Sequence, residues 1–249
     1  MPEWARMGPW APMAFVFIVG FYGSMLLCQP QPLSFGHTHT GFLWWTADVM
    51  VFVWGVVVIV VGGLQLSLLA FLFSYTGWSW CLLTLRAGLC ALAPLLAQHS
   101  EPLAAYAATL GSALRFPVLV AAIVTFTVWN TMLLPLLYFR IIPPGPKRDR
   151  FRKFNFGFFM SNVHVANLPM AIVNTFVGDG ARLFTSSDLY AACLVLMFYS
   201  MLYLFVLDRL GLHFYPMFCP RSNTCGLAFG ALITIYYCVL QRANSAMAG

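Results

Sequence analysis

Residues 42–63 read FLWWTADVMVFVWGVVVIVVGG, an apolar run whose one charge, Asp48, lies near its start. As a helix it is about 33 Å long, enough to cross a bilayer. Inside hydrocarbon every backbone N–H and C=O needs a protein partner, so only helices and closed barrels span. The run is continuous rather than alternating, which selects the helix over a barrel strand. Comparable runs recur at Trp10–Cys28, 116–138, Asn155–Val177, Leu189–Leu207 and Gly226–Leu240. Charged residues make up 8% of the chain, against about 25% in a soluble domain. The expected fold is therefore all-α: a polytopic helical membrane bundle, one integral membrane domain over residues 1–249.

Six spans are clear, and residues 64–98 leave room for a seventh. That segment is apolar, but Tyr75-Thr76-Gly77, Arg86 and Pro94 interrupt it. It reads either as a long second helix with an interfacial piece or as an extra span over 78–98. The run after Trp10 follows a single basic residue, Arg6, and is long enough to stay as a first membrane helix rather than a cleaved signal. Ser187-Asp188 is expected to cap the span that follows it, and Tyr199 and Tyr203 share one face of that span.

The net charge of +6 is concentrated. Arg140, Lys147, Arg148, Arg150, Arg152 and Lys153 all fall in the basic loop 140–155. Such a cluster argues for membrane placement rather than nucleic-acid binding: a cytosolic loop by the positive-inside rule, or an amphipathic segment on anionic headgroups. Seven cysteines form no CxxC pair and no Cys/His metal spacing. Cys219 and Cys225 flank one loop and could bridge if that loop is lumenal; the favoured reading is free thiols. His37 and His39 lie two apart without a third ligand, so no cofactor or metal is expected.

The run at residues 155–177 carries the chemistry. Taken at about 100° per residue from His164, Ser161, Asn167, Asn174 and Thr175 fall with it in an arc of roughly 140°. Ionisable groups at membrane depth face a protein interior or a wet cavity, and mark functional sites. Ser, Asn and Thr also serve as interhelical glue, so the arc alone leaves both readings open. Asp48, one turn inside its span, needs a partner or a role for the same reason.

Three motifs then occur in order. Phe116-Pro117-Val118 opens a helix that ends near Trp129. His164-Val165-Ala166-Asn167-Leu168-Pro169 fits H-x-x-x-L-P, and Gly211-Leu212-His213-Phe214-Tyr215-Pro216 fits G-x-x-x-Y-P. With Asp48 just inside the second span, residues 40–240 resemble the androgen-induced protein family. The resemblance implies a six-span endomembrane or plasma-membrane hydrolase that cleaves fatty acid esters of hydroxy fatty acids. It implies a threonine nucleophile and His164 as base, and the threonine falls on Thr46. Where the family has T-x-x-D, this chain has Thr46-Ala47-Asp48, whose side chains point about 160° apart rather than about 60°. Either Thr46 still reaches His164 or that nucleophile is lost. Asp48 is then expected to orient His164, and Asn167 or Asn174 to steady the oxyanion. The family's topology places loop 140–155 opposite to the side the positive-inside rule prefers. Two other readings stand beside the hydrolase: a non-catalytic scaffold or regulator, and a small-solute carrier lined by Asp48 and His164.

Overall fold

In the computed structural model, residues 9–28, 41–177, 182–212 and 214–248 are described. These residues are helical almost throughout, with no strand among them. The helices are α1 (Pro12–Leu27), α2 (Phe42–Leu66), α3 (Leu68–Phe73), α4 (Tyr75–Leu96), α5 (Glu101–Ile141), α6 (Pro146–Asn155), α7 (Phe158–Phe176), α8 (Ser186–Leu207) and α9 (Thr224–Ala248). Among the described residues, α2, α4, α5, α8 and α9 are long and apolar enough to cross a membrane. A sixth span results if α6 and α7, bent by 54°, are taken together. The protein is a polytopic helical membrane protein. His37 and His39 lie outside the described residues.

The chain divides into two compact units. One is Ser34–Arg182; the other joins Met1–Leu33 to Leu183–Gly249.

The first unit contains α2–α7 and is organised around α4, which packs against α2, α5 and α7. The open segment 64–98 resolves here. Ser67 turns the chain at φ 80° and its hydroxyl accepts from Ala70 N. Ser74 then caps α4, its hydroxyl accepting from Gly77 N at 2.9 Å. Helix α4 passes as a span with Arg86 fully buried and Pro94 inside it. Arg86 counted against a span in the sequence because an isolated charge is costly there; its partners remove the objection.

Close approach of α2 and α4 depends on Gly55. A Cβ there would lie 2.1 Å from Thr84 Oγ1, and that hydroxyl is committed to Trp80 O at 2.7 Å. Small residues permit such crossings in membranes, where packing replaces the hydrophobic effect between helices.

The second unit contains α1, α8 and α9. Phe17, Phe229 and Phe218 form a stacked series, with centroids 4.8 and 4.5 Å apart. The cap of α8 is Thr185 rather than Ser187. Asp188 sits at the third helical position and accepts from Thr185 N at 2.8 Å, completing a capping box. The loop motif at 211–216 has a local explanation. Gly211 adopts φ 66°. The Tyr203 hydroxyl donates to Tyr215 O and accepts from Tyr215 N, both at 2.9 Å. Asp208 accepts from Trp10 Nε1 and from Arg221. Cys219 and Cys225 are free and buried.

Gly55→Val should force α2 and α4 apart and cost about 1–3 kcal/mol, the usual range for overpacking. Gly63→Ala, whose added Cβ meets only ordinary contacts from 3.4 Å, should leave the melting midpoint in detergent within a degree or two. Equal midpoints for the two variants would show that the α2–α4 crossing does not depend on Gly55.

Candidate active site

Helix α7 is bordered by α2, α4 and α5, and each contact fixes a register. Against α4 it runs parallel: Asn167 Nδ2 donates to Ser79 Oγ at 2.9 Å, and Arg86 Nη1 donates to Asn174 O at 2.5 Å. Against α2 it runs antiparallel: Trp54 Nε1 donates to Asn162 Oδ1 at 2.9 Å, and Asn174 Nδ2 donates to Asp48 Oδ1 at 2.7 Å. Against α5 it is antiparallel too. Arg115 Nε donates to Thr175 O at 3.1 Å, and Asn130 Nδ2 donates to His164 O at 3.2 Å.

The expected arc is partly present. His164, Asn167, Asn174 and Thr175 are all buried, while Ser161 is half-buried. They do not face one cavity. Two wide turns, Asn162–Ala166 and Val173–Val177, alter the helical pitch, and the polar groups serve three different neighbours.

One polar centre is at the C-terminal end of α7. Asp48, Arg86 and Asn174 meet there. Arg86 Nη1 reaches both the backbone oxygen and the Oδ1 of Asn174, and the Asn174 amide nitrogen passes the contact on to Asp48. Arg115 adds a second guanidinium, donating to Thr175 O and, at 2.8 Å, to Arg182 O. The last carbonyls of a helix have no intrahelical donors, and in a membrane no water replaces them. Two buried arginines supply that need. Asp48 has the partner its position demanded, and that partner is Asn174, not His164.

The other centre is around His164. Its ring is stacked on Trp129, with centroids 4.0 Å apart and planes 7° from parallel. Trp129 Nε1 donates to Asn155 Oδ1 at 3.1 Å, so the end of the basic helix α6 is tied to the histidine's stacking partner. Nδ1 of His164 is buried with no hydrogen-bond partner among the described residues. Asn167 one turn on spends its Nδ2 on Ser79, and its Oδ1 is likewise buried without a partner. Both sides of the stack lie in wide turns, Val128–Leu133 and Asn162–Ala166, a helical irregularity that is frequent at functional sites.

The structure does not bring Thr46 to His164. The Thr46 hydroxyl donates to Phe42 O at 2.9 Å, within its own helix. It lies two residues from Asp48, at the level of Asn174, and Asn174 is about 15 Å along α7 from His164. The same separation keeps Asp48 from orienting His164. Asn174, engaged by Arg86 and Asp48, is not available at His164 either. Sequence reasoning missed Arg86, Arg115, Trp129, Asn162 and Ser79 as members of the two centres. In the sequence Arg86 reads as an interruption, although a membrane-embedded arginine carries the same signal as a membrane-embedded aspartate.

No group of three His, Cys, Asp or Glu side chains among the described residues is placed to hold a metal ion. Comparison of the chain with family models, curated proteins and solved structures found no match.

Arg86→Met should destabilise the first unit by about 3–5 kcal/mol, because it strips the buried oxygens of Asn174 of their donor and removes the nearby positive charge from the Asp48–Asn174 pair. Adding Asp48→Asn to that variant should recover part of the loss, since the two sites share Asn174. Thermal unfolding in detergent reads both. Strictly additive losses would show that the two residues are not coupled.

Proposed function

We propose that this protein is a membrane-embedded hydrolase of lipid esters in which His164 is the general base. The observation that carries the reading is the His164–Trp129 stack with Nδ1 free of any hydrogen bond among the described residues. A structural histidine at membrane depth would spend its ring nitrogens on neighbours, as Asn162 and Asn174 spend their amides. Here the ring is fixed by its face instead, and a nitrogen that can take a proton is left over. Stacking of this kind contributes about 0.5–1.5 kcal/mol beyond area burial, enough to hold the ring orientation.

The surroundings of the stack support a lipid substrate with an anionic group. Helix α6 is bent away from α7 and exposes Lys147, Arg150, Arg152 and Lys153, with Arg148 half-buried. Phe154 and Phe156 are exposed beside them. Cationic and aromatic side chains together suit the headgroup level of a bilayer. Asn155 couples this helix to Trp129. A lipid anchored by an anionic group at α6 would pass its acyl chains towards His164. Fatty acid esters of hydroxy fatty acids, the substrates implied by the resemblance to the androgen-induced family, carry such a carboxylate. Membership of that family is part of this proposal.

His164→Ala should lower hydrolysis of a long-chain ester by about 10²–10⁴-fold and abolish labelling by an alkyl fluorophosphonate, in protein that still unfolds cooperatively at a lowered midpoint. Wild-type protein that is folded yet neither hydrolyses nor labels would overturn the reading. Separately, amide exchange in α6 should slow when nanodiscs of neutral lipid are replaced by phosphatidylserine-containing ones, each basic side chain near the surface contributing about 1 kcal/mol. Identical exchange in both would remove α6 as an anion-binding element.

A further inference from the structure

We infer that Thr125 is the nucleophile served by His164, an assignment that rests on the hydrolase reading above. The first reason is its hydroxyl. Threonines in membrane helices usually donate to a carbonyl one turn back, and Thr46, Thr84, Thr131 and Thr234 do so, to Phe42, Trp80, Thr127 and Gly230. Thr125 does not: its Oγ1 is buried with no hydrogen-bond partner among the described residues.

The second reason is its place. Thr125 precedes Trp129 by one turn, so the two share a face of α5, and that face carries the indole stacked on His164. Because α5 and α7 are antiparallel, one turn back along α5 is one turn forward along α7. Thr125 is then level with Leu168, about 6 Å along the axis from His164. Thr175 is the other threonine with a buried unbonded hydroxyl, but it is eleven residues on, about 16 Å away by the same measure. At the level of Thr125, α4 contributes Trp80, next in sequence to Ser79, which accepts from Asn167. The Trp80 indole N–H is also buried without a hydrogen-bond acceptor among the described residues, a donor suited to a developing oxyanion.

The chemistry balances without a cofactor. Oγ1 of Thr125 bonds to the ester carbonyl carbon as its proton passes to His164. The tetrahedral intermediate collapses, the C–O bond to the alcohol breaks, and His164 returns the proton to the leaving alkoxide. Water, with His164 again as base, then cleaves the acyl-threonine and releases the fatty acid.

The test is to label wild-type protein in detergent with an alkyl fluorophosphonate and map the adduct by peptide mass spectrometry. Attack by the nucleophile forms an O–P bond and expels fluoride, so the modified residue is read directly, without a variant. The adduct is expected on Thr125. Thr125→Val, close in volume, should lose labelling and lower ester hydrolysis at least 100-fold. Thr125→Ser should retain a tenth or more of the rate, and Thr46→Ala should change it less than threefold. An adduct on Thr46, Ser161 or any other residue would overturn the assignment and leave the hydrolase reading standing. Folded wild type with no adduct and no hydrolysis would overturn both.

Discussion

Two guanidinium groups buried in a membrane protein are tolerated only where acceptors surround them, and here the acceptors are the last carbonyls of the helix that carries His164. Arg86 and Arg115 are fully buried, and each binds a backbone oxygen at Asn174 or Thr175. Each side of this contact removes a cost from the other. The helix end lacks intrahelical donors, and lipid offers none. The arginines lack water. Their positive charge also faces the negative end of the helix dipole. This contact sets the register of α4 and α5 against α7.

The clamp also divides α7 into two chemically different halves. At its C-terminal end Arg86, Asn174 and Asp48 are mutually engaged, although Thr175 Oγ1 is buried with no hydrogen bond among the described residues. Midway along, His164 Nδ1, Asn167 Oδ1, Thr125 Oγ1 and Trp80 Nε1 are buried without hydrogen bonds among the described residues. An unsatisfied buried polar atom costs about 1–3 kcal/mol, so a group of them at one level of a membrane bundle is not a packing accident that stability would favour. Proteins retain such arrangements where a bound molecule supplies the missing partners. The clamped end supports the geometry, and the middle of the helix holds the group of unbonded atoms nearest His164.

The helices themselves were legible because composition leaves a membrane chain few alternatives. The runs at 42–63 and 189–207 could hardly be anything but spans, and His164 was marked by its depth alone. What escaped was pairing. Thr46 and His164 look plausible together in a sequence, since nothing in it states that α2 meets α7 with Asp48 opposite Asn174. Arg86 reads as an interruption in the sequence, because a charge in an apolar run is costly unless a partner is known, and the backbone oxygens that Arg86 and Arg115 bind leave no trace in side-chain identity. Thr185 was passed over for Ser187 since several residues in that stretch can cap, and only the geometry of Asp188 chooses among them.

One feature of the site was nonetheless written in the sequence. Pro135 and Pro169 each follow, within a few residues, a wide turn that holds one side of the stack, Val128–Leu133 for Trp129 and Asn162–Ala166 for His164. A proline inside a helix has no N–H for the carbonyl four residues earlier, and its ring presses on that carbonyl. For Pro169 that carbonyl belongs to Val165, and for Pro135 to Thr131. Widening the preceding turn relieves the pressure and lets those oxygens find later donors. The turn at Leu202–Leu207 forms with no proline after it, and Pro94 sits inside α4 with no wide turn before it, so proline favours such a turn without dictating it. In the H-x-x-x-L-P stretch the proline thus follows the wide turn on which the histidine sits, and from that turn the imidazole face lies on Trp129.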